Sequence, residues 1–225
     1  MVELRQYTLR PGQRGALIDL FESELLEPQA EVGIRVLGQF RDLDRPDRFV
    51  WLRGFPDMAA RKAALTAFYG GPVWARHRAA ANATMLDSDD VLLLRPAEPG
   101  SYPATGDGRA LLTAEVHLLR EPSAAGFLRW YAGEVEPLLE RAGSRRLALL
   151  ETEPAANTFP RLPVREGVCA VVRLARFGDE TTPADVQRRV ELSAGWAAVS
   201  SRVTADLVAA PQLLRLQPTP RSALR

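Results

Sequence analysis

The sequence predicts an α+β protein made of two tandem β-α-β-β-α-β units, and three observations predict it. Landmarks between Phe49 and Pro96 return at one offset. Phe55-Pro56-Asp57, Trp74-Ala75 and Leu94-Arg95-Pro96 recur as Phe177-Gly178-Asp179, Trp196-Ala197 and Leu216-Gln217-Pro218, each 122 residues later. Stretches that alternate with period two are followed by helical stripes in the same order in both halves. At 225 residues the chain also has room for two domains of ordinary size, each able to bury a core.

The elements follow in order. Val2 to Arg10 alternates and reads as a strand, which Pro11-Gly12 ends. Leu17, Leu20, Phe21 and Leu25 fall at helical spacing until Pro28 interrupts them. Gly33 to Arg41 and Phe49 to Phe55 are strands joined by the turn-forming run from Asp42 to Asp47. Asp57 is placed to cap a helix, Tyr69-Gly70-Gly71-Pro72 breaks it, and Pro72 opens the next piece. Asp89 and Asp90 precede a short strand, Val91 to Leu94.

The order then starts again beyond a Pro- and Gly-rich stretch, residues 98–109, that reads as a linker between a first domain, 1–97, and a second, 110–219. Ala110 to Leu119 is a strand in which Glu115, His117 and Leu119 take the places of Glu3, Arg5 and Tyr7, at an offset of 112. Ser123 caps a helix carrying Phe127, Leu128, Tyr131, Val135 and Leu138, with Pro137 late in it. Arg146 to Glu151 and Val168 to Ala175 are strands, separated by an insertion at 152–167. Pro183 starts the broken helix and Gln212 to Leu216 closes the copy.

Such a unit forms a four-stranded antiparallel sheet with both helices on one face, the ferredoxin-like plait. The third strand is apolar on both faces, so the face away from the helices needs a partner. The expectation is that the two sheets pack open face to open face into an intrachain α/β barrel around a pocket.

Composition narrows the partners. The formal charge is +1 with acids and bases interspersed, which argues against nucleic acid or an anionic membrane. Cys169 is the single cysteine, so neither an intrachain disulfide nor a thiolate metal cluster is expected. No apolar run follows a basic start, and nowhere do eighteen apolar residues run together; the reading is a cytoplasmic protein.

Glu3-Leu4-Arg5-Gln6-Tyr7-Thr8-Leu9 with Pro11-Gly12 resembles the opening of the NIPSNAP family. So do Val36-Leu37-Gly38-Gln39-Phe40, the strand Phe49 to Phe55 with Pro56-Asp57, the Pro72-Val73-Trp74 entry and Val91 to Pro96. The second half resembles a diverged copy, with Arg5 and Tyr7 replaced by His117 and Leu119 and the Gly38 position by Leu150. The resemblance implies the dimeric α/β-barrel fold, which related families use for cofactor-free monooxygenases, haem-degrading enzymes, chlorite-dismutase-like haem proteins and cyclases. It constrains shape more than chemistry.

The candidate catalytic residues are His117, Tyr7 and Arg5, with Glu3, Gln39, Trp51, Arg53, Glu115 and Arg173 as substrate-binding neighbours. A carboxylate, guanidinium, phenol and indole converging in one chamber suit an aromatic substrate and a developing phenolate or enolate. The structural alternative is that Glu3 pairs with Arg5 or Arg53 only to fill the interior. His117 beside Glu115 suits a general base, or an ordinary interior histidine; His77, among Arg76 and Arg78, reads as surface. Trp51 corresponds to Arg173 and Arg53 to Ala175, so the two halves line their interiors differently. Cys169 reads as a buried, inert thiol.

Three functions follow as expectations. The first is a cofactor-independent oxygenase- or cyclase-like catalyst on a small apolar or aromatic compound. The second is a non-catalytic ligand-binding or protein-interaction module. The third is a haem-binding barrel with His117 or His77 as ligand. No metal site is expected, and a homodimer of the barrel is the partner to look for besides a small molecule.

Overall fold

In the computed structural model, residues 1–98, 111–120, 124–177 and 182–225 are described, apart from the side chain of Thr204. All but the first residue of the expected linker, the Ser123 cap and the Gly178-Asp179 landmark lie outside them. Two compact units emerge. The first holds Met1–Arg95, Glu153–Glu166 and Gln217–Leu224; the second holds Pro96–Thr152 and Gly167–Leu216.

In the first unit the strands are β1 (Val2–Leu9), β2 (Arg35–Asp42), β3 (Arg48–Gly54) and β4 (Met85–Pro96). Its helices are α1 (Arg14–Leu20), α2 (Leu26–Glu31), α3 (Met58–Gly70) and α4 (Pro72–Thr84). The antiparallel order is β4-β1-β3-β2. In the second unit β5 (Leu112–Leu119), β6 (Ser144–Thr152), β7 (Cys169–Phe177) and β8 (Gln212–Pro218) repeat that order as β8-β5-β7-β6. Its helices are α5 (Ala125–Trp130), α6 (Glu136–Arg141), α7 (Pro183–Glu191) and α8 (Trp196–Ala205). Both units are therefore ferredoxin-like β-α-β-β-α-β arrangements, eight antiparallel strands in all.

Local chemistry explains most boundaries. The Asp57 carboxylate accepts from the Ala60 N–H at 2.7 Å, and Thr182 with Asp185 makes a reciprocal capping box for α7. Pro72 and Pro183 open α4 and α7, where a missing N–H costs nothing. Gly33 and Gly143 end the first helical segment of each unit at φ +88° and +104°, a conformation that favours glycine.

Pro28 departs from the expectation. The helix does not stop there but runs on to Glu31, because a π-helical turn, Phe21–Leu25, widens the ladder just ahead of the residue that has no N–H to give. The Gln29 side-chain amide donates to the Leu25 carbonyl at 3.0 Å within the same stretch. The second unit repeats the device, with a π turn at Tyr131–Val135 ahead of Pro137. Strand β4 is also longer than expected, since a bulge lets Met85 to Asp90 keep pairing with β1.

Residues 153–166 form a strap in the first unit. The Glu153 and Arg165 amides donate to the Leu93 and Val91 carbonyls, each at 2.9 Å. The C-terminal segment joins the same unit, with the Thr219 and Leu224 amides donating to the Gln39 and Leu37 carbonyls. Among the described residues no helix is long and apolar enough to cross a membrane.

Candidate functional site

Alternation along β1 puts Glu3, Arg5 and Tyr7 on one face, and antiparallel pairing sets them opposite Arg53, Trp51 and Phe49; Gln39 stands opposite Trp51 in turn. The sequence reading brings these residues together correctly but makes them the wall of a chamber between sheets. They face the helices of their own unit instead: Glu3 meets Arg61 of α3, and Phe21 packs edge-on against Trp51 with centroids 4.9 Å apart. Period two says which side chains share a face, not which face the helices cover.

The result is a dense ionic core. Glu3 Oε2 accepts from Arg5 Nη1 at 2.7 Å and Arg53 Nε at 2.6 Å, and Oε1 accepts from Arg61 Nε at 2.5 Å. All four side chains are at most 1% exposed. Arg5 also donates to the Tyr7 hydroxyl at 3.0 Å, and Arg5 and Arg53 lie over the Trp51 ring at 5.7 and 5.1 Å. Burial alone would raise the Glu3 carboxyl, but Arg53, Arg5 and Arg61 override it and hold Glu3 far below the usual carboxylate range. Burial pushes the Tyr7 phenol up and the Arg61 guanidinium down. Arg61 fixes the strap as well, donating to Asn157 Oδ1 at 3.0 Å and Thr158 Oγ1 at 3.3 Å.

The strand pairings correct the expected correspondence at the start of the second copy. Val2 pairs with Gly54 and Leu94; Leu112 pairs with Arg176 and Leu216. With β3 and β4 repeating 122 residues on, β1 must repeat 110 residues on, not 112. Thr113 therefore stands where Glu3 does, Glu115 where Arg5 does, and His117 where Tyr7 does. The β2 and β6 bulges agree, since Gly38 opposite Leu52 matches Ala148, not Leu150, opposite Leu174. A two-residue slip keeps every side chain on the same face, which is why alternation could not reveal it.

With that register the difference between the copies becomes physical. Glu3 and Arg53 correspond to Thr113 and Ala175, and four residues past the helix cap Arg61 gives way to Val186: three arginines around one carboxylate have no counterpart, and shorter side chains stand in their places. A cavity of about 570 Å³ occupies the second unit, with Thr113, Glu115, His117, Tyr131, Arg173 and Trp196 among its lining. Val135, Leu139, Val186 and Val190 make the rest of its wall mostly apolar.

At its polar end His117 is fully buried and neither ring nitrogen has a hydrogen-bond partner. Its Nε2 lies 3.7 Å from Glu115 Oε2, beyond hydrogen-bond length. Tyr131 packs edge-on against the imidazole and its hydroxyl donates to Glu115 Oε2 at 3.3 Å. Burial would raise the Glu115 carboxyl, yet His117 and Arg173 hold it below the usual range; burial beside Glu115 keeps Tyr131 a neutral phenol. Arg173 is committed elsewhere. It binds Glu136 through Nε at 2.9 Å and Nη2 at 2.7 Å, and Ser144 Oγ through Nη1 at 2.9 Å, so it supplies shape more than free charge.

Arg61 and Glu136 escaped the sequence reading. Arg61 had a signal, because it falls on the α3 stripe with Ala64, Leu65 and Phe68. Glu136 had none; the π turn adds a residue to the preceding turn and rotates it inward. His77 pairs with Glu24 at 3.5 Å and lines neither described cavity. Cys169 is partly buried and its thiol is pushed up by burial, as befits an unreactive side chain. Among the described residues no three His, Cys, Asp or Glu side chains gather as a metal site.

The chain shares its fold with three solved structures. An anthrone oxidase-like protein is 14% identical with a TM-score of 0.65, covering 97% of this chain and 90% of its own. Candidate monooxygenases from Lactobacillus acidophilus and Fusobacterium nucleatum are 10% and 8% identical, each with a TM-score of 0.57 and covering 96% of this chain and 92% and 91% of theirs. No curated protein matches the sequence. The NIPSNAP family model matches residues 2–99, the stretch that carries Glu3, Arg5, Tyr7, Gln39, Trp51, Arg53 and Arg61. By that match residues 2–99 are a NIPSNAP domain.

Proposed function

We propose that the second unit is the working half, an oxygenase-like catalyst that takes a small, flat, largely apolar compound into its cavity and removes a proton from it. The observation that carries this reading is His117: fully buried, without a hydrogen-bond partner on either nitrogen, and on the wall of a cavity that is otherwise mostly apolar. Buried polar groups are nearly always paired, so such an imidazole wants a partner that a ligand can bring. His117 accepts the proton, Glu115 steadies the imidazolium so formed, and Tyr131 remains a donor beside them. The substrate's electron pair then goes to dioxygen without a cofactor. For anthrone, loss of a ring C–H proton gives an enolate; uptake of one O₂ and release of one water yields anthraquinone.

Anthrone and 2-naphthol test this, by calorimetric titration and, for anthrone, with an oxygen electrode. Wild-type protein is expected to bind both saturably and to accelerate oxygen uptake with anthrone. His117→Ala should lower that rate by about 10²–10⁴-fold while keeping most of the affinity, and Val203→Trp should block the cavity. Absence of saturable binding refutes the reading. Binding with no oxygen uptake leaves a binding module, which the commitment of Arg173 to Glu136 favours as the second reading.

A further inference from the structure

We infer that the first unit carries a separate binding site, for an aromatic anion, in the cavity of about 260 Å³ between α3, α4 and the strap. Three aromatic rings form its wall. Tyr69 and Trp74 meet edge-on with centroids 4.9 Å apart, and Tyr69 lies nearly parallel to Phe159 of the strap at 6.0 Å. Flat apolar faces at such angles suit a ring inserted against them. The volume sits just under the range of about 300–1,000 Å³ common for drug-sized ligands, so one or two rings are the fitting size.

The charge around it is one-sided. Arg78 and Arg161 line the cavity, both exposed, and among the described residues neither has an ion-pair partner; Arg161 stacks on Phe159 at 6.0 Å. Behind the aromatic wall lies the ionic core, where three guanidiniums share one carboxylate, an excess of two positive charges. Arg53 Nη2 and Arg61 Nη2 are buried there without partners. Tyr69 links the two regions, its hydroxyl 3.5 Å from Arg53 Nη1 and its ring on the cavity wall. Among the described residues no carboxylate side chain lines the cavity. A guanidinium pair at the mouth of an apolar slot recognises a carboxylate or phosphate carried on a ring.

The strap is held ready for this. Arg61 grips Asn157 and Thr158, Thr158 Oγ1 donates to the Met58 carbonyl at 3.1 Å, and Asn157 Nδ2 donates to the Leu162 carbonyl at 3.0 Å. Phe159 and Arg161 are thus presented by a braced turn.

Calorimetric titration of the full chain with 1-naphthoate, 1-naphthyl phosphate and the neutral 1-naphthamide tests the site. The two anions should bind saturably and the amide about tenfold or more weaker, the size expected for losing a charge-assisted contact. The double variant Arg78→Gln/Arg161→Gln, whose exposed positions leave folding intact by circular dichroism, should lose about tenfold in anion affinity. Val203→Trp, which blocks the other cavity, should change nothing. A preference for the phosphate marks phosphate esters as the ligand source, and a preference for the carboxylate marks aromatic acids. The inference is overturned if neither anion binds, if the amide binds as well as the anions, or if the double variant keeps full affinity while Val203→Trp loses it.

Discussion

Replacing Glu3 by Gln keeps the size of the side chain and an acceptor oxygen but removes the negative charge that Arg5, Arg53 and Arg61 share. Removing one partner of a buried ion pair costs about 3–5 kcal/mol because the other charge stays buried and uncompensated. Here three cations lose one anion and face each other across a dry core, while the Trp51, Tyr7 and Phe55 faces offset part of the loss. A value of about 4 kcal/mol is a large share of the roughly 5–15 kcal/mol available to a folded protein. At about 2–4 °C per kcal/mol for a chain of this size, the melting temperature should fall by about 8–16 °C. The folded pKa of Glu3 is depressed, so its contribution is fully present above the unfolded carboxylate value, about 4.3, and is lost as pH falls below it. The gap between wild type and Glu3→Gln should therefore be widest near neutrality and narrow below about pH 4. Urea melts at pH 7, 5 and 3 measure it. A variant within about 1 kcal/mol of wild type at pH 7 would refute the view that this carboxylate holds the core together.

Glu136→Ala should cost about 3–5 kcal/mol in urea melts, because it strands the buried Arg173 guanidinium. Gly38→Ala should cost about 1–3 kcal/mol by the same assay, since a Cβ there would stand 2.5 Å from Phe40 Cζ and 3.2 Å from Leu224 Cβ, and Phe40 is buried. Asp57→Ala removes the α3 cap and should cost about 0.5–2 kcal/mol, with Asp57→Asn recovering most of it in thermal melts.

The element order was legible because every signal for it is local. Alternation, Asp57 before a helix and Pro72 after a Gly-Gly break each act within a few residues, and their recurrence fixed the two units. Glu3, Arg5, Trp51 and Arg53 were legible as a group for the same reason, since pleating and hairpin pairing dictate shared faces. What stayed hidden depends on phase or distance. The π turns shift the helical phase without any composition that marks them, which concealed Glu136 and the continuation past Pro28. A two-residue slip preserves the pleat, so the correspondence of Thr113 with Glu3 needed the hydrogen-bonded register. The strap was visible as an insertion, yet nothing nearby in sequence says that Asn157 meets Arg61, 96 residues away.

That strap means the first unit cannot be cut out as one stretch of chain, because residues 153–166 and 217–224 belong to it. A polypeptide ending at residue 97 would leave Arg61 without Asn157 and Thr158, and the β2 carbonyls of Leu37 and Gln39 without their donors. Expressing the first unit by itself would therefore require carrying those two distant segments along with it.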